Sequence, residues 1–224
     1  MSLKVREMFD SIAGRYDFLN HFLSLGRDIR WRKKAVRMVP QRDEVKALDL
    51  CGGTGDFLKE IEAQMPLHPI SAVGDFSFGM LSECTKKFHQ FSVLQLDAMN
   101  TPILENQYQL VTNGFGMRNL DQTEVGVQEA GRLLEKDGHF VTLEFFRPTN
   151  PFNLFFYKIL APLFIPIMGM VFAKKSAYEY LVNSIKGFIT VKDYKGLCEK
   201  NGFVVEKIHP CDLGIAYIVV ARKV

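Results

Sequence analysis

Residues 48–57 read Leu-Asp-Leu-Cys-Gly-Gly-Thr-Gly-Asp-Phe and follow Val45, Lys46 and Ala47. A short apolar run thus enters three closely spaced glycines, Gly52, Gly53 and Gly55, and leaves as a helix from Asp56. Glycines at that place let the backbone turn sharply and approach a ligand closely at the carboxyl end of the strand. A tight strand-to-helix turn without a ligand is the plainer reading. Two nucleotide motifs do not fit. Counted from Gly53, a G-x-G-x-x-G pattern puts its third glycine on Leu58, and no Gly-Lys-Ser/Thr follows for a nucleoside triphosphate.

Outward from this turn the chain alternates. Strands are expected at 70–76, 92–97, 108–115 and 139–145, with helices through 79–88 and 123–136. A helix from about Val191 to Asn201 is followed by strands at 203–210 and 214–223. Strands alternating with helices imply parallel pairing with right-handed crossovers. The last two strands are too closely linked for a helical crossover and should form an antiparallel hairpin. The expected fold is α/β: a doubly wound, mostly parallel, seven-stranded sheet in one domain. Residues 1–40 form a helical cap, 45–146 the core, 147–190 an apolar lid, and 191–224 the C-terminal helix and hairpin. In the cap, residues 3–39 read helical. Arg27, Arg30, Lys34 and Arg37 lie near one stripe, with Ile29, Val36 and Val39 on another. The basic stripe is either a solvated face or a contact for phosphate or anionic lipid headgroups.

Composition narrows the class. With 47% hydrophobic residues, the 224-residue chain can build a substantial core. A net charge of +3 gives no strong push toward nucleic acid. Cys51, Cys84, Cys198 and Cys211 are far apart and unpaired in pattern, and the histidines are scattered, so neither disulfides nor a metal site is expected. No secretion-signal pattern opens the chain, which suits the cytoplasm. Residues 151–173 approach the length of a membrane span, but Lys158, Pro162, Pro166 and Gly169 interrupt them. A bent lid packed on the domain, or a surface lying on a membrane, fits better than a span.

In open α/β sheets ligands bind beyond the carboxyl ends of the strands, at the switch point. The second strand ends at Asp75, where a carboxylate can accept hydrogen bonds from ribose hydroxyls. The third ends at Asp97–Ala98; Asp97 is either a ligand contact or a turn residue. The fourth ends in Asn113-Gly114-Phe115-Gly116-Met117-Arg118-Asn119-Leu120, an exit carrying a charged fork beside an amide. The glycine turn, Asp75 and Asp97 fall at three consecutive strand ends, and that coincidence weighs more than any one of them.

The loop is similar to the D-x-G-x-G-x-G loop of class I methyltransferases, with Cys51 at the first glycine place. Over nearly its whole length the chain resembles the ubiquinone/menaquinone biosynthesis C-methyltransferases. The resemblance is carried by residues 8–32 with their Tyr16–Asp17 pair and Asn20-x-x-x-Ser24-x-Gly26, by the loop at 48–57, by Phe115-Gly-Met-Arg-Asn119, and by residues 133–148 and 178–188. It implies S-adenosyl-L-methionine as methyl donor, no metal, and a polyprenylated quinol as acceptor. It further implies that Gly52, Gly53, Thr54, Gly55, Asp75, Asp97, Ala98, Asn113 and Gly114 meet the cofactor, with Asp97 at the adenine amine. Arg118, Asn119 and Tyr16 are the catalytic residues it implies. Arg118 stabilises a developing phenolate, because a guanidinium does not act as a base. The alternative for Arg118 is an ion pair that pins the cap. Asn119 orients the same oxygen, and Tyr16, on a cap helix with Asp17 and Asn20, faces the cofactor or quinol or packs in the core. The proton acceptor stays open among water, Asp17, His21 and Tyr16.

Two departures stand out. Gly114 falls where the family usually has a serine, and residues 188–203 lack the usual Phe-Pro. In the lid, Phe155, Phe156, Ile159, Leu163, Phe164 and Ile167 are the expected binders of the prenyl tail. A lipid-borne substrate implies loose association with the inner face of the membrane, and a homodimer or a quinone-synthesis complex is the expected assembly. Other readings are a methyltransferase of another phenolic or sterol acceptor, and a non-catalytic cofactor-binding scaffold. The fourth strand lacks the Asn-Pro-Pro-aromatic ending of amino-group methylases of nucleic acid.

Overall fold

The computed structural model describes residues 3–149 and 175–224. The lid residues expected to bind a prenyl tail, from Phe155 to Ile167, lie outside them. The core is a seven-stranded sheet in the order β3-β2-β1-β4-β5-β7-β6. Its strands are β1 (Ala47–Leu50), β2 (Ala72–Asp75), β3 (Ser92–Gln95), β4 (Tyr108–Gly114), β5 (Leu134–Glu144), β6 (Phe203–Cys211) and β7 (Ala216–Lys223). The first five pair in parallel, while β7 runs antiparallel to both β5 and β6, which makes the C-terminal hairpin. β1 is buried at every residue because helices cover both faces of the sheet. β3, at an edge, is largely exposed.

One face is covered by α3 (Arg27–Arg37), α4 (Asp56–Glu62) and α5 (Phe78–Lys87), through Trp31, Val36, Phe57, Ile61 and Leu81. The other is covered by α6 (Thr123–Leu133) and α8 (Val191–Lys200), through Val127, Leu133, Tyr194 and Cys198. The helix α7 (Lys175–Gly187) trails the lid segment. The Arg147 N–H donates to the Ile189 carbonyl at 3.1 Å, and Phe146 stacks on Phe188 at 5.5 Å. The inserted segment therefore leaves and re-enters at one place.

The cap is not one helix. It comprises α1 (Leu3–Ile12), a 3-10 turn at Ala13–Arg15, α2 (Tyr16–Ser24) and α3. Leu25 and Gly26, both at positive φ, separate the last two. α1 buries no residue, so apolar packing alone does not hold it. Asp10 does: its carboxylate accepts from the Ser77 hydroxyl at 2.5 Å and the Gly79 N–H at 2.9 Å. Asp17 in α2 likewise accepts from the Thr54 hydroxyl at 2.5 Å and pairs with Lys87 at 2.6 Å.

Ile29, expected on the apolar stripe of α3, is half exposed. The buried face is instead Asp28, Trp31, Arg32, Ala35 and Val36. Asp28 and Arg32 satisfy each other there at 2.7 Å, and a partly ionic inner face escapes a reading based on hydrophobic period. α6 stops at Leu133 rather than Lys136, because Leu134 already pairs with Tyr108 in the sheet.

At Gly55 φ is +85°, and an added Cβ would sit 2.6 Å from the Cys84 sulfur. Gly55→Ala therefore combines backbone strain with overpacking and is expected to lower unfolding stability by about 2–3 kcal/mol, measured in denaturant.

Candidate active site

The β1–β4 junction is the switch point, since crossovers leave these neighbours in opposite directions. Two side chains close the junction. Thr112 Oγ1 donates to Asp49 at 2.8 Å, and the Asn113 amide donates to the Leu50 carbonyl at 2.7 Å. Asn113 also accepts from the N–H groups of Gly116 and Met117, at 3.1 and 3.0 Å. Its side chain is thus wholly engaged in shaping the exit of β4 and is fully buried.

A cleft opens above this junction, with about 370 Å³ of empty space including its mouth. Among the residues expected at the site, Tyr16, Gly53, Asp75, Gly114 and Asn119 line it together. Phe9, Cys51, Ser77, Met80, Phe115 and Gly116 complete the lining. The glycine turn floors it: Cys51, Gly53 and Gly55 all take positive φ. Gly52 has no room for a side chain, because a Cβ would lie 2.6 Å from Asp49 Oδ2. At Gly114 a Cβ would meet Phe57 at 3.1 Å, so Phe57 crowds the space in which the family's usual serine would stand.

The remaining expected residues sit behind the lining. Thr54 is buried and bonded to Asp17. Asp97 accepts from the Met99 N–H at 3.0 Å in a turn that also buries Ala98, and its charge still reaches Cys51. Arg118 does not pin the cap. Its guanidinium pairs with Glu144 at 2.6 Å and donates to the Phe115 carbonyl at 2.6 Å, while its Nε is buried without a partner among the described residues. Phe115 and Phe145 lie within 6.0 and 5.6 Å of that cation. Asn119 donates to the Phe115 carbonyl at 3.1 Å and accepts from the Tyr180 hydroxyl of α7 at 2.9 Å.

Several contributors went unread in the sequence. Glu144 carried a signal, being an acid inside an apolar strand. Asp49 opened the D-x-G-x-G-x-G resemblance but was given no role of its own. Tyr180, in the segment after the lid, and Phe9 carried none beyond the family resemblance.

Burial sets the electrostatics of the site. Asp75 accepts from the Gly53 and Ser77 N–H groups at 2.9 and 2.8 Å, yet burial still raises its pKa to about 6. Burial lifts Asp49 further, to about 7, against the hydrogen bond from Thr112 and the Arg32 cation. Burial raises the Tyr16 phenol as well, opposed by a hydrogen bond with Asn20 and by the Arg118 and Arg32 cations. Asp75 thus presents a buried carboxylate beside a turn cleared of side chains.

Because Asp49 and Asp75 bind protons more tightly in the fold than in the open chain, folding retains protons between about pH 4 and pH 7. Stability without ligand is therefore expected to fall as pH rises through that window, by about 1.4 kcal/mol per pH unit for each group. Asp49→Asn is expected to flatten the slope above pH 6 and leave the Asp75 part below it, read by denaturant titrations at several pH values.

Comparison with known proteins agrees with the geometry. The ubiE/COQ5 methyltransferase family model matches residues 1–223. The chain is 35% identical to the ubiquinone/menaquinone biosynthesis C-methyltransferase UbiE of Geotalea uraniireducens, across 98% of this chain and 96% of that one. It is 34% identical to the demethylmenaquinone methyltransferase of Staphylococcus saprophyticus, with the same coverage of 98% and 96%. Among solved structures, a Haloferax volcanii methyltransferase in complex with the Trm112 methyltransferase activator superposes with a TM-score of 0.72 at 14% identity, covering 96% of this chain and 97% of that one. A SAM-dependent methyltransferase from Thermotoga maritima gives 0.69 at 16% identity, covering 97% and 98%. The structures show the fold, a class I methyltransferase fold, and the family model together with the relatives shows that the chain belongs to the ubiE/COQ5 methyltransferase family.

Proposed function

We propose that the cleft binds S-adenosyl-L-methionine and methylates a ring carbon of a polyprenylated quinol in menaquinone or ubiquinone biosynthesis. One observation carries the reading: Asp75 and the glycine turn share a single cleft with Tyr16 and Asn119, at the switch point of the sheet. The donor supplies an electrophilic methyl group on a good leaving group. Gly52, Gly53 and Gly55 give backbone access to it, and Asp75 accepts from its ribose. Asp97 and Ala98 flank the adenine, while Thr54 and Asn113 hold the surrounding loops and Gly114 leaves clearance.

The chain's own groups handle the acceptor oxygen. Asn119 uses one amide hydrogen on the Phe115 carbonyl, which leaves the second for a ligand in the cleft. The Tyr180 hydroxyl fixes which way that amide faces. Arg118 stands behind the lining as half of an ion pair with Glu144, so it acts on a quinolate through its field rather than by contact. Ionising the quinol hydroxyl pushes electron density onto the ring carbon, and the Asn119 donor together with that field stabilises the state. Asp17 is engaged by Thr54 and Lys87, His21 by Asp28, and burial keeps the Tyr16 phenol protonated. Water is thus the acceptor of the quinol proton that this arrangement favours.

The acceptor's isoprenoid tail resides in lipid, so the proposal includes a peripheral place on the inner face of the membrane. Among the described residues no helix is long and apolar enough to cross one.

Purified protein with donor and demethylated naphthoquinol or benzoquinol should yield the ring-methylated product by mass spectrometry; no product with either would sink the reading. Arg118→Leu alone is expected to cost about 3–5 kcal/mol of stability by stranding Glu144. The pair Arg118→Leu with Glu144→Gln, whose amide oxygen still accepts from the Phe145 N–H, should recover stability and cofactor binding while turnover stays at least about 100-fold down. Full turnover in that double variant would refute the role given to Arg118.

A further inference from the structure

α3 carries a surface that the site does not use. At 100° per residue, its inward arc holds Asp28, Trp31, Arg32, Ala35 and Val36. The outward arc holds Arg30, Lys33, Lys34 and Arg37, all exposed, with Arg27 at its margin. Asp28 is the helix's one acid, and it is turned inward. Arg30, Lys33, Lys34 and Arg37 form no ion pair among the described residues. Lys207 adds a further exposed cation, donating to the Met38 carbonyl at 2.8 Å just past the end of α3.

Beside this cationic face stand two bare leucines. Leu25 precedes α3 and is 69% exposed; Leu213, at the tip of the β6–β7 turn, is 77% exposed. Asp212 joins the two regions, accepting from the Trp31 indole at 2.6 Å and pairing with Arg27 at 3.2 Å. Both leucines hold positive φ, +53° and +62°, a conformation that bulky side chains rarely take and that favours glycine or asparagine. A soluble surface would gain from a smaller, polar residue at either place. Cys211 pairs with Ala216, and Glu144 with the adjacent Tyr217, so the turn bearing Leu213 lies on the same sheet edge as the Arg118–Glu144 pair.

We propose that the outward face of α3, with Leu25 and Leu213, docks the protein on an anionic lipid surface. The cations meet the headgroups, and the two leucines insert at the acyl boundary. This fits a bilayer better than a nucleic acid, because exposed aliphatic tips gain nothing from a phosphate backbone. It rests on the lipid-borne acceptor proposed above only for its purpose, which is to bring the carboxyl edge of the sheet to the membrane.

The test is co-sedimentation of the full chain with vesicles rich in phosphatidylglycerol or made only of phosphatidylcholine. Binding is expected to the first alone and to be lost at high salt. Lys33→Gln with Lys34→Gln should weaken it about 25-fold, at about fivefold per charge. Leu213→Asn and Leu25→Asn should each weaken binding about tenfold while the melting temperature holds or rises, because the strain is relieved. Equal binding to both vesicle types, unchanged binding in these variants, or binding to a DNA duplex in place of vesicles would each overturn the proposal. So would a dimer of the wild type that the variants convert to monomer. Methyl transfer to a short-tailed, water-soluble quinol should be the same in wild type and variants. Its absence in all of them would count against the proposed chemistry and leave the docking result standing.

Discussion

Two neighbouring strands must separate for this fold to hold a ligand, and two short side chains keep that separation from spreading. β1 and β4 lie side by side, but their chains leave toward opposite faces of the sheet. Thr112 bridges to Asp49, and Asn113 ties the end of β4 to Leu50. The same Asn113 amide collects the N–H groups of Gly116 and Met117, which fixes the turn presenting Arg118 and Asn119. Without these bonds the crevice would carry unpaired backbone groups in a buried place, at a cost that folded chains avoid. The floor of the cleft and the position of the turn bearing Arg118 and Asn119 thus share one fastening.

A second layer of order comes from carboxylates. Asp10 and Asp17 reach from the cap to Ser77, Gly79, Thr54 and Lys87, and thereby hold the cap over a cleft whose own acid is Asp75. Within the cap, α1 lies over the site by hydrogen bonds more than by apolar burial, since it buries no residue. Few apolar contacts and exposed polar ones describe an element that opens locally at low free energy. That is the property a cover needs if ligand is to enter and leave beneath it.

The sheet was legible because its signals are local. Alternating strands and helices, glycines after the first strand, and a link too short for a crossover each dictate one step of the topology. The site was legible at the strand ends for the same reason: Gly53, Asp75, Gly114 and Asn119 do meet in one cleft. What escaped was pairwise. Nothing in the sequence says that Arg118 faces Glu144 rather than the cap, or that Tyr180 holds Asn119, because such partners lie 26 and 61 residues apart. Nor does hydrophobic period reveal that α3 turns Asp28 and Arg32 inward and Ile29 outward, since an ion pair took a place that apolar residues usually hold.

The single hydrogen bond between Arg147 and Ile189 has a further bearing. A segment whose two ends meet is tethered like a handle, and the entropy of closing it grows only with the logarithm of its length. Its length and wording can therefore drift between related chains while the sheet beneath keeps its register. Change confined to that handle can thus accumulate, one substitution or insertion at a time, while the crevice between β1 and β4 stays as it is.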